Sequence, residues 1–141
     1  MTSDPFMKES HLLAPVSGYL RRKGYSKQQE ELQFFEHRID LYGLSPKQDA
    51  TTAIELKLIR WRRALQQALL YQLCADYVFI ALPSDSIPAV NQDQLAEHGV
   101  GLISVYPGPR CRVVVEAEKS PHVLSSYREF YQVMLGERGN E

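Results

Sequence analysis

The sequence predicts an α/β (α+β) domain, a mixed sheet flanked by helices, and three patterns carry that prediction. Short apolar runs of strand length alternate with longer segments of helical periodicity. The run Asp76 to Leu82 (DYVFIAL) is continuously apolar, as a strand buried on both faces must be. Two further strand runs flank Pro107-Gly108-Pro109 and lead into an aromatic-rich helix.

At 141 residues and 44% hydrophobic content, the chain fits one domain (1–141) with its own core. No window approaches the roughly 20 apolar residues of a membrane-spanning helix. The opening MTSDPFMKES lacks the basic region and apolar run of a secretory signal. The expectation is a cytoplasmic protein with no membrane partner. Cys74 and Cys111 form no CxxC and lie near no His pair, so both read as packing residues.

Residues 1–8 have no periodicity and read as a loose end. From Ser10 to Lys23, Leu12, Leu13, Val16, Tyr19 and Leu20 recur at helical spacing, with Ser10 as the N-cap and Gly24 at the stop. Pro15 and Gly18 weaken the first half of that helix. Gln28 to Phe35 and Arg38 to Leu44 read as consecutive strands, the second pointing Ile39 and Leu41 one way and Asp40 and Tyr42 the other. A polar loop, Leu44 to Thr51, leads to a strand over Thr52 to Ile59. There Ile54, Leu56 and Leu58 alternate with Glu55 and Lys57, which places those two on one face, about 7 Å apart for a rise of about 3.3 Å per residue. The expectation is one core face and one chemical face.

Arg60 to Ala75 has the strongest helical composition, free of Gly and Pro. Trp61, Leu65, Ala68, Leu69 and Gln72 mark one side of it, and Arg60, Arg63, Gln67 and Tyr71 another. A short helix over Gln92 to His98, a hairpin of Val100 to Tyr106 with Arg112 to Ala117, and a helix over Pro121 to Leu135 complete the chain.

Charge divides unevenly. Residues 1–75 hold 11 Lys or Arg against 8 acids, and residues 76–141 hold 5 against 9. The first half is the one that suits a polyanion. It also places Asp40 and Glu55 on neighbouring strands, and two carboxylates within a sheet need a shared proton or a cation. Mg²⁺ takes one or two carboxylates together with waters and phosphate, so Asp40, Glu55 and the carbonyl of Leu56 form a plausible donor set. Lys57 is placed to hold or deprotonate an attacking water. The blander account makes Asp40 and Lys57 a cross-strand ion pair, and Gln67 and Tyr71 ordinary helix packing. His11, His37, His98 and His122 share no spacing that builds a metal site or a triad.

Asp40 followed by Glu55-Leu56-Lys57 resembles the PD-(D/E)XK nuclease superfamily, whose restriction-endonuclease-like αβββαβ core matches residues 10–82 in order. Residues 83–141 then form a sheet extension and closing helix. The resemblance implies metal ligation by Asp40 and Glu55 and a catalytic Lys57. Gln67 and Tyr71 resemble the QxxxY element of RecB-like branches, which orients the site. Arg38-Ile39 stands where the family name places Pro before the Asp. Many members add a glutamate from the first helix, for which Glu9, Glu30 and Glu31 are the candidates.

The implied activity is Mg²⁺- or Mn²⁺-dependent endonucleolytic cleavage of DNA in preference to RNA, with Arg60, Arg62 and Arg63 on the phosphate backbone. The alternative is a catalytically silent nuclease-like subunit of a DNA repair or defence complex, with a protein partner supplying target recognition. The small core and the two-fold symmetry of duplex DNA point to a homodimer. Its expected interface is residues 100–106, 112–117 and 127–134.

Overall fold

The computed structural model describes residues 8–108 and 110–138, with side chains to residue 136. The loose end expected for residues 1–8 therefore falls, up to residue 7, outside the described residues, as does Pro109 of the expected turn. A 3₁₀ turn, Glu9–Leu12, leads into α1 (Leu13–Arg22), followed by β1 (Lys27–Phe34), β2 (His37–Ser45), β3 (Ala50–Leu56) and α2 (Trp61–Tyr71). Then come β4 (Tyr77–Pro83), a 3₁₀ segment Ser84–Ala89, α3 (Gln92–Glu97), β5 (Gly101–Tyr106), β6 (Arg110–Val115) and α4 (Ser125–Arg138). The strands form one sheet in the order β1-β2-β3-β4-β5-β6. β4 runs parallel to both β3 and β5, and the other pairs are antiparallel. The fold is thus a mixed six-stranded sheet with helices. No helix among the described residues is long and apolar enough to cross a membrane.

Helices cover both faces of the sheet. α2 and α4 pack on one face against Tyr42, Ala53, Val78, Ile80 and Leu102. α1 packs on the other against Leu41, Ile54, Ala81 and Ile103. Every residue of β3 is buried, so the expectation of one core face and one open chemical face is corrected. A strand flanked by partners on both edges and helices on both faces has no open face to offer, and exposure begins only where the strand ends.

Local boundaries shift for identifiable reasons. Ser10 does not cap α1, because it lies inside the preceding 3₁₀ turn, and Leu12 at the end of that turn occupies the cap position. Pro15 falls in the first turn of α1, where a missing amide hydrogen leaves no bond unmade. Gly24 stops the helix at φ +100°, donating its amide to the Arg21 carbonyl. α2 ends at Tyr71, short of Ala75, because Leu73 and Cys74 bond back three residues in turns.

In β2 the expected alternation breaks. Ile39 packs into the α2/α4-side core and Leu41 into the α1-side core, although they are two residues apart. The break falls at Asp40. The β1–β2 register places Asp40 opposite Glu31, which adopts φ +49°, and the pairs Glu30↔Leu41 and Leu32↔Ile39 bracket this interruption.

β5 lies between β4 and β6 and is almost wholly buried, so it cannot belong to a dimer interface as expected. Its first residue is Gly101, where an added Cβ would lie 2.9 Å from the Ala117 amide nitrogen and closer still to the Phe79 ring. Gly101→Ala is therefore expected to cost about 1–3 kcal/mol of stability as overpacking. A urea midpoint unchanged from wild type would refute this.

α4 seals the sheet with aromatic contacts. Tyr127 meets Phe34 edge-on at 5.3 Å, and Tyr131 lies 5.3 Å from Tyr42 while donating its hydroxyl to the Gln33 carbonyl at 2.8 Å. Phe130 and Val133 face outward from the same helix and are exposed.

Candidate active site

The site lies where β2 and β3 part. Their ladder ends at Leu41↔Ile54, and the next pair in that register would be Asp40 with Glu55. Beyond it the amide of Leu56 has no β2 partner and donates instead to Asp40 Oδ2 at 2.7 Å. Within a strand, the amide and carbonyl of one residue point to the same side. The Leu56 carbonyl is therefore directed to the same side as its amide, toward β2. A splayed strand pair leaves backbone groups without a ladder, and the Asp40 carboxylate fills that gap.

Glu55 sits behind this fork and is 3% exposed. The Tyr71 hydroxyl lies 3.1 Å from Glu55 Oε1 and 3.2 Å from the Arg38 carbonyl. Having one proton, it donates to one of them at a time. An ionised Glu55 takes that proton bond, whereas a protonated Glu55 releases Tyr71 to the carbonyl. Lys57 Nζ stands 3.7 Å from Glu55 Oε2, and its backbone amide is fixed on the Ala81 carbonyl at 3.1 Å. Glu55 and Lys57 thus share a face as expected, although Lys57 lies just beyond the strand.

Burial pushes Glu55 up to about 8, with the neighbouring Asp40 charge adding to the shift and Lys57 and Tyr71 opposing it. Asp40 is raised as well, chiefly by burial, against the Leu56 amide bond that favours its ionised form. Two adjacent carboxyls that both resist ionisation share a proton at neutral pH unless a cation joins them.

The chain matches no protein-family model and no curated protein. Among solved structures it is similar to a protein of unknown function from Silicibacter pomeroyi. The TM-score is 0.71 at 21% identity, over 95% of this chain and 88% of that one. That likeness concerns the fold.

The donor chemistry at the fork fits a hard divalent cation. Asp40, Glu55 and the Leu56 carbonyl offer only oxygen, as Mg²⁺ and Mn²⁺ prefer. No group of three or more His, Cys, Asp or Glu side chains at ligand spacing occurs among the described residues. Asp40 and Glu55 are two carboxylates, a number that Mg²⁺ supplements with waters. Gln67, one turn before Tyr71, has its Oε1 buried without a hydrogen-bond partner. An orphaned acceptor costs about 1–3 kcal/mol, so this position favours a donor such as an ordered water.

All three candidate glutamates reach the rim. Glu9, Glu30 and Glu31 line a single cavity of about 450 Å³ together with Ser10, Leu13, Asp40 and Leu56. Glu9 is the only one of them near the first helix, and its charge contributes to raising Asp40. Glu31 is exposed and lies 3.9 Å from the Arg38 guanidinium.

Arg60, Arg62 and Arg63 are exposed at the start of α2 and line a separate cavity with Ile59, Trp61 and Ala89. Trp61 is buried as a core residue, with the Arg62 guanidinium 4.5 Å above its ring. A second polar cluster was not foreseen. Asp76, 3% exposed, accepts from the Thr51 amide and hydroxyl and from the Arg128 guanidinium at 2.8–3.1 Å. Its only sequence signal is an acid opening an otherwise apolar strand run.

Proposed function

We propose that this protein is a metal-dependent nuclease of the PD-(D/E)XK kind that hydrolyses phosphodiester bonds in DNA in the cytoplasm. One observation carries the proposal: a half-buried Asp40 and a buried Glu55, anchored separately by the Leu56 amide and the Tyr71 hydroxyl, converge at the β2/β3 fork with Lys57 beside Glu55. Mg²⁺ or Mn²⁺ bound there would polarise a phosphoryl oxygen and lower the pKa of water. Asp40 and Glu55 hold negative charge at fixed positions, so little reorganisation is left for the reaction itself. Lys57 Nζ holds the attacking water and offers a positive charge to the developing phosphorane. Tyr71 orients Glu55 from α2, with Gln67 one turn before it, and Arg60, Arg62 and Arg63 supply an exposed basic surface for phosphates.

Lys57→Met tests the assignment. It removes a charge that faces Glu55 and leaves the core intact, so duplex cleavage in Mn²⁺ should fall at least about 100-fold, a loss typical of one charge-stabilising donor. The rise in melting temperature on adding Mn²⁺ should persist. Cleavage at the wild-type rate would overturn the role of Lys57.

The silent-subunit reading draws on the solvent-facing apolar strip of α4, where Phe130, Val133 and Met134 line an open cavity. The same strip is the proposed contact in a homodimer, now without β5. Sedimentation equilibrium at micromolar concentration checks it, and a 16.1 kDa species in the presence of duplex and Mg²⁺ would remove the dimer.

A further inference from the structure

We propose that Ile59 is a wedge that enters a DNA base step beside the cleaved phosphate, with the cavity next to it receiving the face of the displaced base. This rests on the nuclease reading above. Ile59 is 74% exposed, the most exposed large apolar side chain among the described residues. Leaving it in water forgoes the burial of an aliphatic side chain that a fold could otherwise collect.

The loop holds it outward. Before it, the Lys57 amide is tied to Ala81, Leu58 packs against the α1-side core, and the Leu58 carbonyl accepts from Ser86 Oγ at 2.5 Å. After it, the Trp61 amide donates to the Ile59 carbonyl at 2.8 Å while the indole is buried. With both flanks fixed, the side chain between them cannot fold back into the core.

Its surroundings specify the partner. The adjoining cavity, about 450 Å³, is lined by Ile59, Arg60, Trp61, Arg62, Arg63 and Ala89, with no acid among them. An apolar tip beside a cavity lined by three arginines fits a polyanion with flat apolar faces inside it, which is a nucleic acid. Aliphatic wedges flanked by Arg enter base steps in this way, and guanidinium planes stack on bases. The Arg62 guanidinium lies 4.5 Å above the Trp61 ring, which gathers one cation beside the cavity. Ile59 follows Lys57 by two residues, which keeps their Cα atoms within about 7 Å, or about two base steps at about 3.4 Å each.

The test uses duplexes with 2-aminopurine placed in turn at each position around the mapped cut, in Mn²⁺, with wild type, Ile59→Ala and Ile59→Phe. Wild type should raise the fluorescence severalfold at one position. Ile59→Ala should lose that rise and cleave about 10-fold more slowly, with its melting temperature and the salt slope of binding unchanged because the arginines remain. Ile59→Phe should restore the rise. A full rise and wild-type cleavage in Ile59→Ala would overturn the wedge and leave the nuclease standing. Failure of wild type to cleave any duplex would remove the nuclease reading and the wedge with it. Binding of wild type to phosphatidylserine vesicles but not to duplex would assign the loop to a lipid surface and overturn the proposal.

Discussion

If the protein is the metal-dependent nuclease proposed above, Glu55→Gln will abolish DNA cleavage and divalent-ion stabilisation together, and it will make the metal-free protein more stable at pH 8. Glu55 keeps its proton in the folded state up to about 8, whereas an unfolded glutamate loses it near about 4.3. Between these values the native state binds the extra proton, so metal-free stability falls as pH rises and levels off above about 8. At about 1.4 kcal/mol per pKa unit, the cost reaches a few kcal/mol by order of magnitude. Glutamine removes that slope. A cation that favours the ionised pair offsets the cost instead, adding about 2.7 kcal/mol when present at about 100 times its dissociation constant. Asp40→Asn should lose the cation response and cleavage as well. Thermal melts from pH 5 to 9, in EDTA and in Mn²⁺, check this, and a full Mn²⁺ upshift in Glu55→Gln would refute it.

The second large effect is structural. Arg128→Ala should cost about 3–5 kcal/mol at pH 6, because it leaves the buried Asp76 carboxylate without its countercharge. Although burial alone would raise Asp76, the Arg128 and Thr51 hydrogen bonds outweigh it and hold the folded pKa below the ordinary value. A depressed carboxylate contributes stability that is complete above the unfolded pKa of about 3.9 and is lost as pH falls toward the lower folded value. Arg128→Ala should therefore flatten the acid limb below about pH 4. Urea unfolding at pH 6 and pH 3 measures both arms, and a loss under about 1 kcal/mol at pH 6 would show the pair to be dispensable. Asp76 weakens the metal-free protein on the acid side and Glu55 on the alkaline side, so its stability should peak in mildly acidic solution.

The order of elements was legible because it depends on local periodicity. The strand runs, the Gly24 stop and the long helix with Gln67 and Tyr71 each announce themselves within a few residues. Asp40, Glu55 and Lys57 were legible as a set, and the register places the two carboxyls as opposite positions. The parting of β2 from β3 was not legible. It is accompanied by the Asp40–Leu56 bond, and the neighbouring β1–β2 pairing is interrupted at Glu31 in a left-handed conformation; neither leaves a periodic trace. The tie of Tyr71 to the Arg38 carbonyl and of Arg128 to Asp76 spans 33 and 52 residues, distances over which a single sequence carries no pairing signal.

That second span has a consequence for biosynthesis. Asp76 leaves the ribosome 52 residues before Arg128, which at about 5–20 residues per second is a delay of about 3–10 s. During it, the strands and α2 can assemble, yet the carboxylate at their junction has no countercharge and the aromatic face of Phe34 and Tyr42 lacks Tyr127 and Tyr131. The nascent sheet is thus held short of its final stability until α4 arrives. The elements that carry Asp40, Glu55 and Lys57 all precede that event, so the fork is laid down early and locked last.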